Sequence, residues 1–284
     1  MTIETANRTL ISSLSGLYDE REASAISFLV MERLTGMSKS LQVQNKTNEF
    51  TIKQRNLFEH YLSDLVNQRP VQYVLEEAWF GSYPFYVNEH VLIPRPETEE
   101  LVDWLLKESS HRMPGTAVLD IGTGSGCIAI CIKKKRKDLQ VSALDIEDSA
   151  LQIAIKNSKA LNAQVEFFLS DIRDPVQNKN MVPVDLIISN PPYIPQSQKH
   201  SLDRHVRDYE PEVALFVPDD DPILFYKLIG KIALLKLKPE GALFLEIHHD
   251  YAKNILEWYN AIGFSIEMRK DFAGNNRMIK VYKN

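Results

Sequence analysis

Two periodicities divide the chain. Over the first 70 residues apolar positions recur at helical spacing. In TIKQRNLFEHYLSDLVNQ, Ile52, Leu57, Phe58, Tyr61, Leu62, Leu65 and Val66 fall largely on one face, and SAISFLVMERL behaves similarly, so a small helical bundle is predicted. From 77 to 93, EAWFGSYPFYVNEHVLI turns aromatic and β-branched, broken by Gly81 and Asn88, which reads as a short hairpin or extended linker. After Arg95, strand and helix patterns alternate. AVLDI (117–121), VSALDI (141–146), VEFFLSD (165–171), VDLIISN (184–190) and GALFLEI (241–247) read as strands, with helices near 222–236 and 250–262. Asp148 is placed to cap the helix DSALQIAIKNSKALN. FSIEMRKDF and MIKVYKN are separated only by AGNNR, too short for a crossover helix, so the last two strands should pair antiparallel. The expected fold class is α/β, a mostly parallel sheet with an antiparallel C-terminal hairpin strand, preceded by a small N-terminal helical bundle.

Composition narrows the functions this fold could serve. With 284 residues and 44% hydrophobic content, the chain can bury one large core or two modest ones. No apolar run approaches the roughly 20 residues of a membrane span, and MTIETANRTL lacks signal-peptide character, so a cytoplasmic location is expected. A net charge of −5 argues against a protein whose main work is gripping long phosphate backbones. The densest basic run, KKKRK at 133–137, reads as a solvated helix end. Cys127 and Cys131 lie four apart in an apolar helical stretch, which suits small buried side chains better than a disulfide or a metal site.

Candidate chemistry concentrates where strands end. LDIGTGSGCIAI sets Gly122, Gly124 and Gly126 between a strand and a helix, where a ligand can approach main-chain N–H groups without a Cβ in the way. The spacing is not the dinucleotide GxGxxG, since Cys127 stands at its last position, and the Lys-Ser/Thr of a phosphate loop is missing. Asp145, at the end of the next strand, stands where an acid would accept hydrogen bonds from two ribose hydroxyls, and Asp171 ends the third strand in the same way. Together they place a nucleoside without a pyrophosphate across the strand ends. SNPPYIPQ (189–196) then stops a buried strand abruptly: Pro191 and Pro192 donate nothing to a ladder, and Pro191 pushes Asn190 toward an extended conformation. The result is a stiff strand end with a carboxamide, free carbonyls and the ring of Tyr193, equally readable as a terminator or as a grip for a planar polar group.

The set LDIGTGSG, ALDIE, SD and NPPY resembles class I S-adenosylmethionine-dependent methyltransferases acting on planar amino or amide nitrogens. More narrowly, RPVQYVLEEAWFGSYPFYVNEHVLIPRPETEELV followed by SNPPYIP, EPEVALF, LEI and DFAGNNR resembles the protein-(glutamine-N5) methyltransferases called HemK or PrmC, from about residue 69 onward. The resemblance implies methyl transfer from S-adenosyl-L-methionine to the glutamine of the Gly-Gly-Gln motif in class-1 peptide chain release factors. It implies a division into a substrate-recognition bundle (1–73), a β-hairpin linker (74–94) and a methyltransferase domain (95–284). Gly122, Thr123, Gly124, Ser125, Gly126, Asp145, Asp171 and Asn190 would hold the cofactor. Asn190, Pro191, Pro192 and Tyr193 would hold the substrate amide, with no metal required. The expected partner is a protein substrate, with neither membrane nor nucleic acid directly involved and the enzyme a monomer.

The chain departs from this pattern at Glu76 and at His248 and His249, where relatives usually carry glycine. Glu97 reads as structural, Arg95 as either substrate contact or linker tie, and Arg277 as a surface or hairpin-stabilising residue. Two other readings stay open. An adenine-type nucleobase N-methyltransferase would offer the same clamp to the same planar NH2, but would need a basic recognition region. A non-catalytic cofactor-binding module would bind the cofactor without turnover.

Overall fold

The computed structural model describes residues 1–283, which form two compact units. The smaller comprises Met1–Glu77 together with Asp203–Tyr209; the larger comprises Ala78–Leu202 and the residues from Glu210 onward.

The smaller unit is helical, with helices Ile3–Leu14, Glu20–Thr35, Lys39–Gln44, Ile52–Val66, Val71–Val74 and Arg204–Arg207. Local chemistry sets their starts. Thr2 and Asp19 accept from the N–H groups of Thr5 and Glu22, and Thr51 with Gln54 forms a reciprocal capping box. Gly36, at φ 68°, closes the second helix in the left-handed region. Leu10, Leu14, Val30, Met31, Phe58 and Leu65 are buried at its centre. The apolar face predicted for 52–66 is narrower than its sequence pattern. Phe58, Tyr61 and Leu65 are buried, whereas Ile52 is 80% and Val66 44% exposed, because the two ends of the helix overhang the core. The pattern also missed that Asp203–Tyr209, from the far side of the chain, belongs to this unit, where the Tyr209 hydroxyl donates to the Asn67 carbonyl at 2.9 Å.

The larger unit opens with a hairpin, β1 (Ala78–Phe80) and β2 (Tyr83–Phe85), turning through Gly81 and Ser82 at positive φ. Gly81 has no alternative residue: a Cβ there would lie 2.5 Å from Cys131 Sγ. A seven-stranded sheet follows, built from β3 (Ala117–Ile121), β4 (Gln140–Asp145), β5 (Glu166–Leu169), β6 (Val184–Ser189), β9 (Leu237–Glu246), β10 (Phe264–Lys270) and β11 (Asn276–Lys283). A two-residue parallel pair, β7 (Ile194–Pro195) with β8 (Phe216–Val217), stands apart from it. The sheet order is β10-β11-β9-β6-β3-β4-β5. β3, β4, β5, β6 and β9 are parallel, and β11 runs antiparallel to both β9 and β10, as the short AGNNR link requires. The inner strands are covered on both faces, so β6 reads VDLIIS with only Asp185 partly exposed. Leu119, Ile187, Ile229, Leu243 and Tyr259 lie in that core. Cys127 and Cys131 are buried, free thiols whose pKa values burial pushes up to about 12 and about 11. No helix among the described residues is long and apolar enough to cross a membrane.

Glu76 adopts φ 53°. A glycine occupies that region at no steric cost, whereas a side chain pays roughly 1 kcal/mol. Glu76→Gly should therefore leave the protein as stable or raise its unfolding free energy by up to about 1 kcal/mol, read from denaturant midpoints at unchanged m-value.

Candidate active site

β3 is hydrogen-bonded to β4 on one side and to β6 on the other, so the chain leaves their carboxyl ends in opposite directions and opens a crevice there. A cleft occupies this edge, walled by Gly122, Gly124, Asp145, Asp171, Asn190 and Pro191 among others. Its remaining walls come from 90–92, which precedes the helix Pro96–Glu108, and from Pro211, Val213 and Ala214.

The glycine loop is pinned by its neighbour strand. Gly122 N and Thr123 N donate to the Leu144 carbonyl at 2.9 and 3.0 Å, and Gly124 N donates to Asp145 Oδ2 at 2.8 Å. Nothing lies within 4 Å of a Cβ built on Gly122 or Gly124, both at positive φ, so their faces are open. Gly126 serves packing instead: a Cβ there would meet Ile130 Cδ1 at 2.9 Å and Ala154 Cβ at 3.1 Å. Thr123 and Ser125 are buried and face away from the cleft. The Thr123 hydroxyl donates to Asp120 Oδ2 at 2.6 Å, and the Ser125 carbonyl accepts from Asn157 Nδ2 at 2.9 Å. Of the five loop positions predicted to hold a ligand, the structure brings Gly122 and Gly124 to the cleft and uses Thr123, Ser125 and Gly126 to shape the loop.

Asp145 also accepts Glu147 N at 3.1 Å, through Oδ1. Asp148, expected to cap the following helix, is instead the first residue of the helix Asp148–Ala160; the N-cap residue is Glu147 and no side chain caps the helix. Burial raises the Asp145 pKa against the opposing pull of these N–H donors. With two N–H bonds accepted, the carboxylate keeps lone pairs for further donors. Asp171 sits at the cleft with its carboxylate bonded to the Arg173 side chain at 2.9 and 3.0 Å, and that cation lowers its pKa.

β6 ends at Ser189, one residue before Asn190, as its prolines dictate. No hydrogen bond among the described residues engages the Pro191 carbonyl. Asn190 Nδ2 donates to Thr98 Oγ1 at 3.1 Å. Thr98 Oγ1 in turn donates to Glu246 Oε2 at 2.6 Å, and the Tyr193 hydroxyl reaches Glu246 Oε1 at 3.3 Å. Tyr193 is thus tied behind the strand end, its ring edge-on to His248 at 5.7 Å. Burial raises the pKa values of both Tyr193 and Glu246.

Asp120, Thr98, Glu246 and Glu210 went unread in the sequence. Asp120 and Glu246 carried the same signal as Asp145, an acid at a strand's carboxyl end; Thr98 and Glu210 carried none. Glu210, buried, accepts from Ile93 N at 3.2 Å and pairs with Arg95 Nη2, so Arg95 acts as a tie between segments. Arg277 is largely buried rather than on the surface. Its Nε donates to Asp271 Oδ2 at 3.1 Å, which does brace the closing hairpin. His248, His249 and Asp250 bring three donor groups within 4.8 Å of one another, but His248 Nδ1 already accepts Asp250 N.

The donor set fits a nucleoside bearing a cationic sulfur. Leu144, Ile146 and Ile172 offer apolar walls for a base, and Asp145 offers acceptors for hydroxyls. The sheet order and this edge define a class I S-adenosylmethionine-dependent methyltransferase. Residues 98–206 match the family model "Methyltransferase small domain". The fold is shared with the hMettl16 catalytic domain, solved in complex with MAT2A 3'UTR hairpin 6 (TM-score 0.53, 16% identity, 70% of this chain and 74% of that one). Full-length relatives are closer in sequence. The chain is 36% identical to the release factor glutamine methyltransferase of Flavobacterium psychrophilum, over 99% of both chains. It is 38% identical to that of Bacteroides thetaiotaomicron, over 94% of this chain and 95% of that one. The chain belongs to the release factor glutamine methyltransferase family.

Asp120 is fully buried, and desolvation raises its pKa to about 7, with Thr123 opposing the rise. Its folded pKa lies above its unfolded value near 3.9, so the stability it contributes is complete below about pH 4 and is lost as pH rises through about 7. Asp120→Asn should flatten the dependence of unfolding free energy on pH across that window, measured by denaturant titration at several pH values.

Proposed function

We propose that this chain methylates the side-chain amide nitrogen of the glutamine in the Gly-Gly-Gln motif of class-1 peptide chain release factors, using S-adenosyl-L-methionine. The observation that carries the reading is the similarity over the full length, since NPPY alone serves adenine and glutamine alike. The enzyme acts in the cytoplasm, as a monomer, on a protein rather than directly on nucleic acid. The fate of its basic run supports the last point. Lys133 and Lys134 donate to the carbonyls of Leu139 and Leu161, Lys135 pairs with Asp103, and Arg136 with Asp138, which leaves these cations engaged within the fold. Residues 1–73 serve substrate recognition, 74–94 the linker and 95–284 catalysis.

S-adenosyl-L-methionine, when bound, supplies a methyl group activated by its sulfonium. Gly122 and Gly124 would present open backbone to it, Asp145 would accept from its ribose hydroxyls, and Asp171 lines the same cleft. Thr123, Ser125 and Gly126 keep the loop in shape. An amide nitrogen is a weak nucleophile, because its lone pair is delocalised into the carbonyl, so the chain must chiefly orient and desolvate it. Asn190 Oδ1 and the Pro191 carbonyl each accept one N–H of the substrate NH2. This fixes both hydrogens and turns the nitrogen face toward the methyl group. Pro192 stiffens the turn, and Tyr193 braces it through Glu246. Such positioning can be worth roughly 7–11 kcal/mol of barrier. With the cofactor bound, its sulfur would keep the electron pair of the C–S bond as the amide nitrogen took the methyl group, and that nitrogen would give its proton to water.

Labelled methyl should pass from S-adenosylmethionine to a purified release factor, and not to the same factor with its Gly-Gly-Gln glutamine replaced. Equal labelling of both, or labelling of adenine in DNA, would overturn the reading. Asn190→Ala should lower kcat/KM by about 100-fold or more while cofactor binding, followed by calorimetry, changes little.

A further inference from the structure

The clamp needs an acceptor at Asn190, yet a carboxamide can face a cleft with either its oxygen or its NH2. What decides lies behind it. Glu246 ends β9 with 1% of its surface exposed, and Thr98, in the first turn of the helix Pro96–Glu108, is 3% exposed. A carboxylate has no proton to give, so the single hydroxyl proton of Thr98 goes to Glu246 Oε2, at 2.6 Å. Thr98 Oγ1 then offers its other neighbour only lone pairs. The group of Asn190 that can meet them is the NH2, which stands at 3.1 Å. The carboxamide oxygen is left for the cleft. Reversal would set an oxygen against an oxygen at Thr98 and an NH2 against the substrate's own NH2, losing hydrogen bonds at both ends in a buried setting.

We propose that Glu246 and Thr98 are positioning residues for the transfer, a one-way hydrogen-bond chain that fixes Asn190 with its acceptor oxygen toward the substrate amide. The inference rests on the clamp proposed above and extends it from the strand end to Thr98, 92 positions from Asn190 and bonded to it directly, and to Glu246, 53 positions from Tyr193 and bonded to it. Neither residue touches substrate in this scheme. Tyr193 contributes by donating to the second oxygen of Glu246, which helps hold that carboxylate in place.

The test compares Thr98→Val, which keeps shape and removes the hydroxyl, with Thr98→Ser, which keeps the hydroxyl and removes the methyl. Both are assayed in the full-length enzyme with a release factor as substrate. Thr98→Val should lower kcat by roughly 10–100-fold, with the dissociation constant for S-adenosylmethionine and the KM for release factor within a few-fold of wild type. Thr98→Ser should restore turnover to within a few-fold. Thr98→Ala removes the same oxygen without adding bulk, and is read in place of Thr98→Val should thermal unfolding show the latter misfolded. Full turnover in the hydroxyl-free variant, or equal loss in Thr98→Ser, would overturn the proposal. Asn190→Ala, run alongside, separates the two levels. If it keeps full turnover, the clamp itself is wrong. If it is inactive while the hydroxyl-free variant is fully active, the clamp stands and the chain behind it does not.

Discussion

The reversal of strand order between β3 and β6 is the constraint from which the rest of the site follows. Parallel neighbours must be joined by crossovers of one hand, so a sheet that grows from β3 outward to β5 and then returns to β6 leaves a gap between diverging loops at one edge. The strand-end groups of the site stand at that edge: the glycine loop after β3, Asp145 ending β4, Asp171 after β5, Asn190 after β6 and Glu246 ending β9. Because the central strands are buried on both faces, their ends are held by the core, and the loops inherit that rigidity. The two prolines after Asn190 complete the arrangement by keeping the Pro191 carbonyl out of any ladder.

Four carboxyl groups at or behind this edge share a chemistry and differ in surroundings. Asp120 is wholly buried against Thr123, and burial dominates its titration. Asp145 is bound by two backbone N–H groups that shape the loop around it. Asp171 meets a guanidinium and moves the other way. Glu246 accepts two hydroxyl protons and none from a cation. Desolvation thus raises three of these carboxyl groups, and a neighbouring guanidinium lowers the fourth, at one edge of one sheet.

Local patterns in the sequence were sufficient for the strands, the antiparallel close, the glycine loop and the abrupt end of β6, because each is decided by residues a few positions apart. Partnerships across long separations left no such trace. Thr98 and Glu246 are 148 residues apart, and Glu210 lies 117 from Ile93. Asp148 shows how a local rule fails: the helix begins at Asp148 itself, so the residue expected to cap it lies within the first turn, and no side chain takes its place. Thr123 and Ser125 show a further limit, since a motif names positions but not which side chains turn inward, and both are buried. Ile52 and Val66 continue the apolar stripe of their helix beyond the core that could cover them.

A carboxamide oxygen and a backbone carbonyl recognise a planar NH2 and nothing more, so the choice between a glutamine and an adenine has to be made outside the clamp. The walls of the same cleft include Val91, Leu92, Pro211, Val213 and Ala214, from VLIPRP and EPEVALF, which also carry the narrower family resemblance. Glu210 joins those two segments, taking Ile93 N and Arg95 on one buried carboxylate. A buried charge that loses its partner is costly, on the order of 3 kcal/mol or more, which makes the join stiff rather than incidental. The segments that carry the narrower family resemblance therefore line the same cleft as Asn190 and Pro191, and the ion pair between them holds that wall in one shape.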